Sequence, residues 1–448
     1  GAGVRPHKNS INNYCYPENP EAGINLFLEK LVQETEKEHE DILEQADETD
    51  AMFGELYSWY LRNPEYRSRV QKLVQSAFAG KPEDIISQSV AKALYGEVSP
   101  YSATRLERFA ACAFAHFLQY GMKLTERVEY EFKPMDMGNV MHEALESFAE
   151  EVRKRGMKWT ELTEQERNEI ADRCLDNIVA DYGNTVLKSS ARNEYMIERT
   201  RRILRRTVWA LQKQLEQGEF QPEGFEVTFG GGRIDRVDIM EDQNKVYVKV
   251  IDYKTGNTSF DLVYLYHGLQ LQLMIYLDGA LRVEQKKYPD KEIIPAGVFY
   301  YNIKDPMIQE KIDADVEAVS AGLMKELKMN GLVQADPELV YRMDSSLGSI
   351  PVAFNKDGSF RKNSSVADRT QFAVLGRYVR MKIEKIRSSI LEGDAEVSPY
   401  ELGKKNACTY CPYMTVCGFD RRLSGYEFRR LKNFSDEELW KAFDREAE

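Results

Sequence analysis

No apolar run in this 448-residue chain approaches the ~20 residues that a membrane-crossing helix requires, so no membrane partner is expected. A G-x-x-x-x-G-K-[ST] phosphate loop is also missing. The only Gly-Lys steps stand in AGKPED and LGKKNA, and neither has the spacing, so ATP hydrolysis through such a loop is not expected of this stretch. There is no fixed-period repeat and no low-complexity tract. The start, GAGVRPHKNS, has neither an initiator Met nor a signal-peptide pattern, and the chain is expected to be a piece of a longer protein. Cysteine is scarce, with six in all. Three of them, Cys408, Cys411 and Cys417, crowd into CTYCPYMTVC. That clustering argues against a disulfide framework. A C-x2-C-x5-C spacing suits metal or cluster ligation in a reducing, cytoplasmic compartment.

What is present is ordinary in bulk and uneven in distribution. A chain with 42% hydrophobic and 30% charged residues can bury a large core, in more than one unit at this length. The net charge of −12 disfavours nucleic acid only on average. Residues 34–50 hold nine acids against one lysine, whereas RTRRILRR holds five arginines: Arg199, Arg201, Arg202, Arg205 and Arg206. Basic pairs recur at Lys404-Lys405, Arg421-Arg422 and Arg429-Arg430. Local basic surface governs phosphate contact, so the arginine run is a candidate DNA contact, with a solvated helix face as the plain alternative.

Apolar periodicity predicts helices over 22–95, then a break at Gly96–Pro100. In SATRLERFAACAFAHFLQYG, Ser102 is placed to cap a helix and Gly121 to end it. A helix starting near Asp136 or Asn139 carries His142, and helices follow at 160–181 and 191–217. Strands are expected at about 223–229, 232–240 and 245–252, a long helix at about 261–281, and a strand at 293–303. Helical patterns return at 308–330 and 366–392, and Asp357-Gly358 marks a hairpin turn between them. An antiparallel run of strands followed by a helical crossover gives an α/β fold: a mixed sheet flanked by helices.

The segment GRIDRVDIMEDQNKVYVKVIDYKTG concentrates chemistry on two of those strands. Side chains two apart in a strand share a face, so Asp252 and Lys254 point the same way, and Asp235 joins them if the strands pair. Two carboxylates and an amine on one sheet face suit a hard divalent cation and an activated water.

This Asp…Asp-Tyr-Lys pattern resembles the PD-(D/E)XK nuclease superfamily, in its RecB-like branch. The resemblance extends to His142 upstream in GNVMHEALESF, and to Gln272 and Tyr276 downstream in LQLMIYLDGAL. It implies a restriction-endonuclease-like core over about 136–304, with helical insertions. Asp235, Asp252, His142 and the main-chain carbonyl of Tyr253 would hold Mg²⁺ or Mn²⁺, and Lys254 would hold the attacking water. Gln272 and Tyr276, four apart on one helix face, would contact Lys254 or the DNA backbone.

A lone cysteine before such a core and C-x2-C-x5-C after it resembles the iron–sulfur staple of AddB-type subunits of ATP-dependent helicase–nucleases. YSATRLERFAAC, GRIDRVD, DYKTG and SPYELGKKNACTYCPYMTVCGFD carry the likeness. It implies a [4Fe–4S] cluster on Cys112, Cys408, Cys411 and Cys417, although the family usually has Pro where Ala113 follows the first cysteine. Zinc on the same thiolates is the alternative, with Cys15 and Cys174 as lesser choices of fourth ligand. Residues 1–95 would be the tail of, or linker from, a helicase-like part, and 96–448 the nuclease domain. The family implies an exonuclease that trims single strands of DNA ends unwound with an AddA-type partner, in recombinational double-strand-break repair. A catalytically idle DNA-end scaffold and a stand-alone CRISPR-associated exonuclease remain as other readings.

Overall fold

The computed structural model describes residues 48–77, 85–96, 102–125, 134–181, 190–230, 232–308, 315–422 and 425–447. The expected helices before residue 48, and Cys15, lie outside them. Two compact units emerge, each built from two stretches of chain. One takes the described parts of Ile86–Gly393 and Leu431–Glu448, the other those of Gly1–Ile85 and Asp394–Arg430.

In the larger unit, α1 (Ala103–Ala111) is followed by three longer helices: α2 (Pro134–Lys154), α3 (Glu164–Asp181) and α4 (Ala191–Glu216). Then come β1 (Gln221–Phe229), β2 (Gly232–Glu241) and β3 (Lys245–Lys254), which pair antiparallel in succession. The crossover consists of α5 (Leu262–Tyr266) and α6 (Gln272–Lys287), and it delivers β4 (Glu292–Asn302) parallel to β3. β5 (Asn330–Gln334) and β6 (Val366–Ala367) complete a six-stranded mixed sheet in the order β1-β2-β3-β4-β5-β6. α7 (Arg369–Glu392) and α8 (Asp436–Ala447) close the unit.

The sheet separates two apolar cores. Met240, Tyr247, Ile251 and Phe299 join one cluster with Phe148 of α2, Leu175 of α3 and Leu204 of α4. Val237, Val248, Val250 and Val298 join the other with Leu106 of α1, Leu277 of α6, Leu375 of α7 and Phe443 of α8. Each fully buried Leu, Val or Phe contributes about 1.5–3 kcal/mol, and β3, buried on both faces, carries apolar residues pointing both ways in VYV and VI. Ionic groups also sit inside the first face. Arg236 donates to Asp238 at 2.5 Å, Lys249 reaches the other Asp238 oxygen at 3.0 Å, and the Arg236 guanidinium lies over Trp159 and Phe225. Each charge is paired, which offsets the cost of taking it out of water.

Two sequence expectations need revision. The single helix over 261–281 is two helices, because Gly268 adopts a left-handed φ of 79°. A Cβ there would stand 3.3 Å from Ala110 and 3.4 Å from Ile386, so the break lets the chain pass close to α1 and α7. The helix expected over 308–330 is confined to Val316–Glu326 among the described residues, and β5 begins at Asn330. Gly331 hid that strand. A Cβ on it would fall 1.9 Å from the Val298 carbonyl oxygen, so only glycine permits the pairing with β4.

The larger unit's main segment also begins and ends at one place, where Ile86 N–H donates to the Gly393 carbonyl at 2.9 Å. In the smaller unit, helices Glu48–Arg62 and Pro64–Ala77 accompany a three-stranded sheet of Tyr400–Leu402, Lys405–Asn406 and Arg429–Arg430. No helix among the described residues is long and apolar enough to cross a membrane.

Candidate active site

β3 presents Asp252 and Lys254 near its C-terminal end. Asp252 is 1% exposed, and its Oδ2 lies 2.5 Å from the Lys254 ammonium. Lys254 also donates to Gln272 Oε1 at 2.8 Å, and Gln272 Nε2 donates to Tyr276 Oη at 2.8 Å. The ammonium can only donate, so it fixes the Gln272 amide with its oxygen toward the lysine, and the Tyr276 hydroxyl accepts from the amide nitrogen on the other side. The i, i+4 spacing on α6 makes the arrangement possible.

β2 delivers Asp235 from the neighbouring strand. The pairing of Arg236 with Ile251 puts Asp235 across from Asp252. Its carboxylate accepts the Tyr253 N–H at 2.7 Å and lies 3.4 Å from His142 Nδ1 of α2. The main-chain group Tyr253 offers to Asp235 is thus its N–H. The His142 ring meets the Tyr253 ring edge-on at 6.0 Å.

Alternation fails at this point of the sheet, and the failure matters. Ile234 and Val237 both lie in the second cluster, while Arg236 lies against Trp159 and Phe225 of the first. On β1, directly across from Asp235, Glu226 takes a left-handed φ of 49°. Such backbone is strained for a residue with a Cβ and tends to mark functional sites. Its consequence here is a third carboxylate: Glu226 Oε1 lies 3.9 Å from His142 Nδ1, and its other oxygen pairs with Arg233. His142, Glu226 and Asp235 each offer a ligand atom, all within 4.8 Å of one another. Sequence reasoning missed Glu226, since an acid in FEVTF looks like an ordinary solvent-facing strand residue.

The electrostatics follow from burial and crowding. Burial, and then the charge of Asp235, push the Asp252 carboxyl up to about 7 against the pull of Lys254. Glu226 is raised by burial and by the same Asp235 charge. Burial works against an imidazolium at His142, but the hydrogen bond and charge of Asp235, with Asp252 and Glu226 behind them, hold it above its ordinary value. Burial lifts the Tyr276 hydroxyl well above its usual range, so it remains a neutral partner for Gln272. Carboxylates that repel one another, beside a histidine nitrogen, are a donor set that fits a hard divalent cation.

Arg201 pairs with Asp176 and Asp172, Arg205 with Asp172, and Arg202 with Asp305, while Arg206 lies over Trp209. Arg199 is exposed on the same helix. Cys112 is buried at the C-terminal cap of α1 in the larger unit. In the smaller unit, Asn406 Oδ1 accepts the Cys408 and Thr409 N–H groups, and the Phe419 N–H points at Cys417 Sγ at 3.5 Å. None of Cys112, Cys408, Cys411 and Cys417 is in a disulfide.

Comparison with known proteins agrees with this geometry. Residues 100–418 match the PD-(D/E)XK nuclease superfamily. Among curated relatives, the B subunit of an ATP-dependent helicase/deoxyribonuclease from Lachnoclostridium phytofermentans is 41% identical over 425 residues, which are 90% of this chain and 36% of that protein. Proteins of the same description from Thermoanaerobacter sp. and Clostridium acetobutylicum are 34% and 33% identical, over 90% and 89% of the chain. The chain spans only 36–37% of the length of these relatives. On the superfamily match, which takes in the whole sheet and every residue of the pocket, the chain belongs to the PD-(D/E)XK nucleases.

Proposed function

We propose that this chain is the nuclease domain of an AddB-type helicase–nuclease, and that it hydrolyses phosphodiester bonds of single-stranded DNA at processed double-strand breaks. One observation carries the reading. Lys254 is held between a buried acid and an amide whose orientation is locked, beside a second acid and a histidine. Asp235, Asp252 and His142, joined by Glu226, would hold Mg²⁺ or Mn²⁺. When bound, such a cation neutralises charge on the phosphoryl group and lowers the pKa of an attacking water. The ammonium of Lys254 orients that water and stabilises charge on the phosphate. Gln272 holds the ammonium, and Tyr276 holds Gln272. Backbone contacts dominate the grip on a single strand, and the arginine run of α4 adds to it by exchanging acid partners for phosphates, a salt-sensitive contribution.

Cys112, Cys408, Cys411 and Cys417 are proposed as ligands of a [4Fe–4S] cluster. The N–H directed at Cys417 Sγ favours a thiolate there. The cluster's part is structural, and no step of hydrolysis passes through it. Residues 1–95 are read as leading from a helicase-like part, and an AddA-type protein as the partner. The curated relatives, whose length exceeds this chain, support both readings.

The test is degradation of labelled single-stranded DNA with Mg²⁺ or Mn²⁺. Asp252→Ala and Lys254→Ala should each reduce the rate at least ~100-fold, the scale on which a positioned acid–base group acts. Equal rates in parent and variants would assign the activity to a contaminant and favour an idle DNA-end scaffold.

A further inference from the structure

α6 begins without a cap of its own. Its N-cap position is Leu271, and no side chain in the local sequence GLQLQ takes up the first N–H groups. A helix start left this way has unsatisfied donors and a positive dipole end. Instead a single oxygen from another helix serves both: Glu107 Oε1 accepts the Leu271 N–H at 2.7 Å and the Gln272 N–H at 2.9 Å. Glu107 belongs to α1, which is itself started by a Ser102 cap and buried through Leu106, Phe109 and Ala110. The glycine break at Gly268, closely packed on Ala110, brings the two helices to this distance.

The capped residue is the one that faces the lysine. Gln272 gives its N–H to Glu107, its side-chain oxygen to Lys254 and its side-chain amide to Tyr276. We propose that Glu107 is a positioning residue for Lys254: it pins the first turn of α6 and thereby sets where Gln272 holds the ammonium. This rests on the reading of Lys254 as a nuclease residue. A Ser or Asp at position 271 would cap α6 locally, without burying a carboxyl. The acid from α1 instead fixes the start of α6 to α1. Burial pushes its carboxyl up to about 7, with the two N–H groups and Lys254 pulling the other way.

The experiment compares Glu107→Ala and Glu107→Gln in the full chain by single-stranded DNA degradation and by hydrogen exchange of the peptide that starts α6. Glutamine keeps an acceptor oxygen where alanine has none. The expected result for Glu107→Ala is a kcat lowered about 10- to 100-fold, as loss of charge-assisted bonds at a helix start would give. KM for DNA should stay within about twofold, because a positioning residue acts through Gln272 and Lys254 on the chemical step. Exchange at the start of α6 should rise about tenfold. Glu107→Gln should recover most of the rate and of the protection. An Ala variant with parental kcat, or with unchanged exchange in that peptide, overturns the proposal. So does a Gln variant as impaired as Ala while folded. Asp252→Ala run alongside separates the two readings: if it keeps the parental rate, the nuclease reading has failed and the exchange data alone decide whether Glu107 caps α6.

Discussion

Replacing Asp252 with Asn should make the protein more stable and abolish its chemistry. The carboxyl is 1% exposed, and burial together with Asp235 moves its pKa from 3.8 to about 7. A raised carboxyl pKa means that the folded chain binds a proton more tightly than the unfolded chain does. Its contribution is therefore fully present below pH ~4 and is lost as pH climbs through about 7. Each pH unit in that window costs about 1.4 kcal/mol, so at pH 8 the metal-free parent has given up on the order of 4 kcal/mol. Asn does not titrate and keeps an oxygen for Lys254. For a unit of this size, about 2 °C in Tm per kcal/mol makes the Asn variant roughly 8 °C more stable at pH 8 in chelator. The gap should close toward pH 4, and Mg²⁺ should narrow it at pH 8 by stabilising the parent more than the variant. Circular-dichroism melts at both pH values, with and without Mg²⁺, measure this. An Asn variant that melts at or below the parent at pH 8 in chelator would refute the linkage and the crowding of charge behind it.

Two further predictions concern neighbouring groups. Glu226→Gln keeps the shape of the side chain but weakens the donor set with His142 and Asp235. Calorimetric titration with Mn²⁺ should show affinity reduced about tenfold, and an unchanged Kd would remove Glu226 from the cation site. Asp238→Ala leaves Arg236 and Lys249 buried without their shared partner, and denaturant unfolding should show a loss of about 3–5 kcal/mol; a loss under about 1 kcal/mol would mean that water reaches them.

Much of the architecture is legible because periodicity and burial point the same way. β3 is buried along almost its whole length since it is covered on both faces, so an acid and a lysine at its end stand out. His142 and Gln272 are legible as candidates through their place in an ordered pattern, and the structure brings the first to Asp235 and the second to Lys254. Glu226 and Glu107 were not found. The position of Glu226 depends on one left-handed residue in a strand, which no alternation rule anticipates. Glu107 acts on a helix start 164 positions further along the chain, so its partner has no local signature. The break at Gly268 is hidden in the sequence for a related reason: the apolar rhythm on either side continues across it, and only packing on Ala110 and Ile386 requires the turn.

The backbone bond between Ile86 and Gly393 has an evolutionary corollary. A long excursion of chain whose two ends touch behaves like an appliance on a single plug. Insertions within it lengthen the excursion without moving its points of departure and return. Grafting such a segment into a surface turn of an unrelated host imposes little extra closure entropy, because that term grows only with the logarithm of loop length. A module organised this way is suited to being carried from one host chain to another.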